Sequence, residues 1–328
     1  MKREEGALFM VEQKITVGVG TEWPLDGLLT LPDGDGPFPA VVLVHGSGSS
    51  DMDSKIYKVK PFKDIAEGLA QRGVAAIRYD KRSFRYGRKL LKAKGSQFTV
   101  WDESIEDALF AAEILRGDKR IDTDRIFVAG LSLGGMLAPR IVAASKGAFA
   151  GMVIMAGSPR RLEDIMKEQL MSGLDNYKGV LRWIVKRQVA KFEPLMEGID
   201  ELSDEEAQAT KFMGGTTLYY LKDMGKPPTE ELLKSTDAPM LILQSGNDLQ
   251  VSKERDFDKY KEILAGRPNA TFKLYEGLNH TFMTAHYSDI SGAIKEFKIE
   301  QQVKDYVIDD IASWIKSPGQ TLESTPET

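Results

Sequence analysis

An alternation of short, wholly apolar runs with segments of helical periodicity constrains this fold more than any other feature of the chain. Ala40-Val41-Val42-Leu43-Val44 is apolar at every residue, so a strand there must be covered on both faces, as strands of a parallel sheet are. Ile65, Ala66, Leu69 and Ala70 then mark a helix, and Val74–Tyr79 forms the next strand. A helix over about 102–116 follows, with Ile105, Ala108, Leu109 and Ala112 on one stripe. The pattern continues through a strand at 126–131, a helix at 134–146 and a strand at 149–156. It resumes with Met240-Leu241-Ile242-Leu243, a helix at 253–265 and a strand at 271–275. A last helix, about 300–316, carries Val303, Tyr306, Val307, Ile311 and Trp314 at helical spacing. Such alternation predicts an α/β fold, a mostly parallel central sheet flanked by helices with right-handed crossovers. Two earlier strands, 8–17 and 25–31, are joined by a turn-rich stretch and are expected at an antiparallel edge.

Residues 158–236 break the rhythm. They hold no long β run and are too long for an ordinary loop. Leu162, Ile165, Met166 and Leu170 fit one amphipathic helix, and Leu181, Ile184, Val185, Gln188 and Val189 another. The expected organisation is one elaborated domain: 1–157 and 237–316 as the two parts of the core, 158–236 as a helical lid or cap insertion, and 317–328 as a disordered tail. Composition narrows the function classes. With 44 basic and 49 acidic residues and a net charge of -5, nothing steers the chain electrostatically to nucleic acid. Cysteine is absent, which excludes disulfides and cysteine-based metal or nucleophile sites and fits a reducing compartment. Met1-Lys2-Arg3-Glu4-Glu5 leads into no secretory apolar region, and no transmembrane segment follows. A cytoplasmic location is the expectation.

The chemistry concentrates at Phe127-Val128-Ala129-Gly130-Leu131-Ser132-Leu133-Gly134-Gly135. An apolar strand runs into G-x-S-x-G and then into a helix, the setting in which a sharp turn exposes a serine hydroxyl at the tip of a sheet. Small residues two before and two after Ser132 let strand and helix backbones approach closely. The Leu133 amide, at the helix start, is aimed at an oxygen that becomes negative during acyl transfer. A second donor is expected from Ser47, whose amide lies in His45-Gly46-Ser47-Gly48 after the first central strand. Ser47 and Ser158 as nucleophiles lack such a turn.

A serine needs a base, and the base an orienting acid. The chain has three histidines. His280 ends Tyr275-Glu276-Gly277-Leu278-Asn279-His280, just past a strand end, where its loop can return to Ser132. His286 lies further into a polar connection, and His45 is expected to brace its loop. Asp248 ends Gln244-Ser245-Gly246-Asn247-Asp248, after the strand that follows the insertion. Asp256 and Asp258 are weaker candidates because they fall in an expected surface helix.

Taken together, these segments resemble the α/β-hydrolase superfamily, and especially bacterial lid-containing carboxylesterases related to dienelactone hydrolases and serine peptidases. The resemblance rests on Leu28-Leu29-Thr30-Leu31-Pro32, Val44-His45-Gly46-Ser47-Gly48, Arg78-Tyr79-Asp80-Lys81-Arg82, Gly130–Gly135, Gly246-Asn247-Asp248 and Gly277-Leu278-Asn279-His280. It spans nearly the full chain apart from the insertion and the tail. The chain departs from the pattern at Leu131, often histidine in these enzymes, and at Ser83, commonly glycine. The resemblance implies Ser132 as nucleophile, Asp248 as acid, His280 as base, and backbone donors at Leu133 and Ser47. It implies a small-molecule ester substrate and no metal or organic cofactor. Peptidase, thioesterase and acyltransferase chemistry use the same constellation, and a non-enzymatic interaction protein on the same frame is the contrasting reading. Met166, Leu170, Trp183, Phe212, Tyr219 and Tyr220 are candidates for an apolar pocket, each with a packing alternative. Arg160 and Arg161 suit an acidic substrate or an exposed pair.

Overall fold

The computed structural model describes residues 10–173, 179–212 and 215–318. Eight strands form one sheet: β1 Met10–Val17, β2 Leu25–Pro32, β3 Phe38–Val44, β4 Ala75–Tyr79, β5 Ile121–Leu131, β6 Gly151–Met155, β7 Met240–Ser245 and β8 Ala270–Tyr275. Their order across the sheet is β1-β2-β4-β3-β5-β6-β7-β8. β1 pairs antiparallel with β2, and β2 antiparallel with β4, while every pairing from β4 to β8 is parallel. The mostly parallel sheet with an antiparallel edge is therefore present.

The helices before the insertion are α1 Pro61–Gln71, α2 Arg82–Arg85, α3 Arg88–Lys94, α4 Glu106–Gly117 and α5 Leu133–Ala144. Between β6 and β7 come α6 Leu162–Gly173, α7 Gly179–Glu197, α8 Asp204–Ala209, α9 Leu218–Met224 and α10 Thr229–Ser235. The rest are α11 Asp258–Ile263, α12 Ala293–Glu296 and α13 Asp305–Lys316. Local chemistry sets several ends. Pro61 opens α1, where its missing N–H costs nothing, and Ser203 with Glu206 forms a reciprocal cap on α8.

The two-residue period of the strands divides the core into two layers. Val41, Leu43, Phe127, Val153 and Leu241 face α1 and α13, where Phe62, Ile65, Ile308, Ile311 and Trp314 are buried. Val42, Val44, Val128, Ile154 and Ile242 face the other way, onto Ala108 and Leu115 of α4 and Leu137 and Ile141 of α5. Trp314, 1% exposed, also donates its indole N–H to Thr271 Oγ1 at 3.3 Å. Burial on both faces explains why these strands read as continuous apolar runs rather than as alternating ones.

Several boundaries differ from expectation. The last helix starts at Asp305, not near 300, because the Val303 amide binds Asp64 Oδ2 at 3.1 Å and the Lys304 amide binds the Phe282 carbonyl at 3.1 Å. Those tertiary bonds take donors that a longer helix would use. The segments expected as helices at 102–116 and 253–265 each begin with a wide i→i+5 turn, Trp101–Ile105 and Lys253–Phe257. Residues 158–236 contain helices and no named strand among those described. The side chains of Leu181, Ile184, Val185, Gln188 and Val189, and most of the expected tail, lie outside the described residues.

Candidate active site

Ser132 joins β5 to α5 with φ 57 and ψ -118, a conformation a non-glycine residue rarely adopts. Neighbouring backbone holds it there. The Ser132 amide donates to the Met155 carbonyl of β6 at 2.9 Å, and its carbonyl accepts from the Met136 amide at 3.0 Å. Close approach depends on two glycines. An ideal Cβ on Gly130 would lie 2.1 Å from the Gly134 carbonyl carbon and oxygen, and one on Gly134 would lie 2.1 Å from the Val44 carbonyl oxygen. The spacing of G-x-S-x-G therefore packs helix α5 against both its own strand and the end of β3. Leu133 is the first residue of α5, where amides have no acceptor within the helix. The loop after β3 passes beside the turn: an ideal Cβ on Gly46 would stand 3.2 Å from Ser132 Cβ.

His280 and Asp248 come from loops at the ends of β8 and β7. His280 Nδ1 lies 2.7 Å from Asp248 Oδ2, and the Asp248 carboxylate is fully buried. Its Oδ1 accepts the Gln250 amide at 2.8 Å and the Val251 amide at 3.0 Å, so the carboxylate is fixed before it meets the imidazole. The two loops are stitched together: Asn247 donates its amide to the Leu278 carbonyl at 3.0 Å and accepts the Gly277 amide on Oδ1 at 2.9 Å. Asn279 Oδ1 gathers the amides of Thr281 and Met283 and the Thr281 hydroxyl, closing the turn that carries His280.

Ser132, Leu133, Ser47 and His280 all line one cavity of about 820 Å³, while Asp248 stands behind His280. Ser132 and His280 line the same cavity, and among the described residues no hydrogen bond links Ser132 Oγ to His280. Such contacts commonly tighten only when substrate is bound. The arrangement can take a proton from a hydroxyl, hold the resulting imidazolium and offer backbone N–H groups to a developing anion.

The other candidates sort clearly. His45 is buried, donates its Nε2–H to the Asp51 carbonyl at 2.9 Å and packs on Phe62. Burial, then the nearby Lys81 charge, pushes its pKa down to about 3, so it stays neutral and braces the loop. His286 is exposed. Ser158 is buried with its hydroxyl on Asp256 Oδ1 at 2.6 Å. Contrary to the surface helix expected there, Asp256 is wholly buried, because Ser158, Arg160 and the Ser252 amide converge on it. Asp258 is exposed as expected.

Arg160 and Arg161 are not a free exposed pair. Arg160 bridges Asp256 and Glu168, Arg161 pairs with Glu163 and Asp200, and neither lines the cavity. Met166, Phe212 and Tyr220 do line it; Leu170, Trp183 and Tyr219 do not, and Trp183 is 59% exposed. The sequence pattern assigns no site role to Lys81 or Glu103, although Asp80-Lys81-Arg82 directly after the buried strand β4 is a usable signal for the lysine. Among the described residues no group of three His, Asp or Glu side chains is arranged to hold a metal, and no helix is long and apolar enough to cross a membrane.

This geometry agrees with what the chain resembles elsewhere. The family described as "Alpha/beta hydrolase family" matches residues 41–290. Esterase EstD of Thermotoga maritima is 36% identical over 296 residues, covering 89% of this chain. The chain spans only 65% of that relative's length. Among solved structures, an esterase of Pyrococcus furiosus, Pf2001, superposes with a TM-score of 0.57 at 14% identity, covering 95% of this chain and 92% of that one. A dienelactone hydrolase from Anabaena variabilis gives 0.53 at 17% identity, over 94% and 98% of the two chains. Identities this low speak to the fold alone. With a family match across most of its length, the eight-stranded sheet and the serine turn at the end of β5, the chain belongs to the alpha/beta hydrolase family.

Proposed function

We propose that the protein is a carboxylesterase acting on small or medium acyl or aryl esters through a Ser132–His280–Asp248 acyl-enzyme mechanism. One observation carries the reading: the buried Asp248 carboxylate bonds His280 Nδ1 at 2.7 Å while His280 and Ser132 line the same cavity. The name of the 36%-identical relative, an esterase, supports the same reaction class.

Asp248 holds the imidazole with its proton on Nδ1, leaving Nε2 to accept the Ser132 proton as Oγ attacks the ester carbonyl. The Leu133 and Ser47 amides would then donate to the oxyanion of the tetrahedral intermediate. His280 returns its proton to the leaving alkoxide. It next removes a proton from water, whose oxygen attacks the acyl carbonyl; the acyl C–Oγ bond then breaks, His280 gives that proton to Ser132 Oγ, and the acid leaves. No step needs a metal or an organic cofactor. The cavity has 820 Å³ and a wall that includes Leu131, Met136, Met166 and Phe212, which suits an apolar acyl or aryl group rather than a polar chain. Helices α6 and α9 contribute Met166 and Tyr220 to that wall, which supports reading 158–236 as a cap over the serine. A cysteine-free chain suits a cytoplasmic location.

The test is a matched panel of p-nitrophenyl esters, thioesters and aminoacyl amides, run with and without alcohol acceptors, on wild-type protein and Ser132→Ala. Ester turnover that disappears in Ser132→Ala is expected. Preferential amide cleavage, or turnover that survives the substitution, would overturn the proposal.

A further inference from the structure

Behind the loop that carries Ser47 lies a buried polar relay that the triad does not use. Lys81, 2% exposed, donates its ammonium to the Gly46 carbonyl at 2.8 Å. The same Nζ lies 3.3 Å from Glu103 Oε1. Glu103, 7% exposed, takes the Tyr220 hydroxyl on its other oxygen at 2.5 Å. Tyr220 belongs to α9, within the inserted helices, and its ring stacks on Phe98. Glu103 and Tyr220 reach the cavity wall, whereas Lys81 stands behind it.

The acceptor of this lysine matters. Gly46 C=O and Ser47 N–H are the two ends of one trans peptide unit, so they point in opposite directions. An ammonium on the oxygen fixes the plane of that unit and draws charge toward the oxygen, which makes the N–H a stronger donor. The remainder of the segment grips the same loop: the Lys81 amide binds the Ser50 carbonyl at 3.0 Å, and Asp80 Oδ1 takes the Met52 amide at 2.9 Å. An ammonium buried only to hold a fold needs its carboxylate, and Glu103 supplies that. Its second partner is the carbonyl of the peptide that presents the Ser47 amide, and that choice of acceptor couples the ammonium to the orientation of that amide.

We infer that Lys81 is a positioning residue for the oxyanion donor at Ser47, held in place by Glu103 and by Tyr220 of the inserted helices. The inference rests on the proposed roles of Ser132 and Ser47. Lys81 never touches substrate; it acts through the Gly46–Ser47 peptide, and Tyr220 extends the same line of hydrogen bonds from α9 to that peptide.

The experiment compares wild type, Glu103→Gln and a Lys81→Met/Glu103→Gln double variant that leaves no buried carboxylate stranded. Intact active sites are counted by titration with a fluorophosphonate, so unfolded protein does not enter the rates. For p-nitrophenyl butyrate, kcat per titrated site is expected to fall roughly 10- to 100-fold in the double variant, less than the loss on deleting an oxyanion donor outright. KM should change by less than about threefold, because a donor that strengthens only in the transition state is being lost. Affinity for a trifluoromethyl ketone, whose serine adduct carries the oxyanion, should fall in parallel with kcat. Glu103→Gln alone should lower kcat by a few-fold at unchanged KM, and it serves if the double variant does not fold. Unchanged kcat per site, or a rate loss that the ketone affinity does not follow, would overturn the inference. A wild-type protein that does not titrate at Ser132 would instead overturn the esterase reading beneath it.

Discussion

Replacing Gly134 with alanine probes the contact that brings the serine turn and the loop after β3 together. The added carbon would sit 2.1 Å from the Val44 carbonyl oxygen, 2.7 Å from its carbon and 2.8 Å from the His45 carbonyl oxygen. Cβ contacts below 3.0 Å essentially do not occur, so β3 and α5 must part by at least 0.9 Å. The neighbours are backbone, and no rotamer change relieves them. Two effects oppose each other. Alanine favours a helix over glycine by about 1 kcal/mol, whereas overpacking costs about 1–3 kcal/mol and occasionally more. A clash with two successive carbonyls belongs at the upper end, giving a net destabilisation of about 1–2 kcal/mol. Activity should suffer more than stability, because Val44 and His45 lead directly into Gly46 and Ser47. A displacement near 1 Å in a catalytic array costs about 100-fold. Urea unfolding gives the first quantity, and kcat per titrated site on p-nitrophenyl butyrate gives the second. Gly117→Ala is the control, since its added carbon meets nothing within 4 Å. A Gly134→Ala protein with wild-type midpoint and kcat would show that this contact does not set the geometry of the site.

Further outcomes follow from the same structure. His45 is held neutral down to about pH 3, whereas an unfolded histidine takes a proton near 6.5. Between those values the unfolded chain binds more protons, so stability falls as pH falls, by roughly 1.4 kcal/mol per pH unit from this group. His45→Gln should flatten the slope of urea stability between pH 6 and 4, and an unchanged slope would refute the assignment. Asp248→Asn should lower kcat by roughly 10⁴ by removing the anionic partner of His280 Nδ1, with near-native circular dichroism; a loss below tenfold would refute its role. Arg160→Met strands Asp256, which is wholly buried, and should cost about 3 kcal/mol. Thermal melts and limited proteolysis within 158–236 read the effect, and unchanged behaviour in both would show that Arg160 does not anchor the inserted helices.

The parts visible in the sequence were those with one dominant local cause. Val41 to Val44 could only be a strand covered on both sides, and Gly130-Leu131-Ser132-Leu133-Gly134 combined a motif with the strand and helix it requires. His280 and Asp248 stand out because few histidines exist and both residues lie in a loop just past a strand end. What was missed depends on partners remote in sequence. Asp256 lies in a polar helical stretch, and nothing local reveals that Ser158 and Arg160, almost a hundred residues earlier, cover it. The Lys81–Glu103–Tyr220 line joins three segments through hydrogen bonds, which leave no periodicity to detect. The last helix was drawn too long because the amides of Val303 and Lys304 serve Asp64 and Phe282. Periodicity reports which face is buried, not which donor is already taken.

The most direct measurement of the central claim is the site of covalent capture. Wild-type protein, treated with a fluorophosphonate and digested, should yield one modified peptide with the added mass on Ser132, and ester turnover should be lost in proportion to labelling. Labelling on another serine, or full turnover in protein fully modified at Ser132, would contradict the claim.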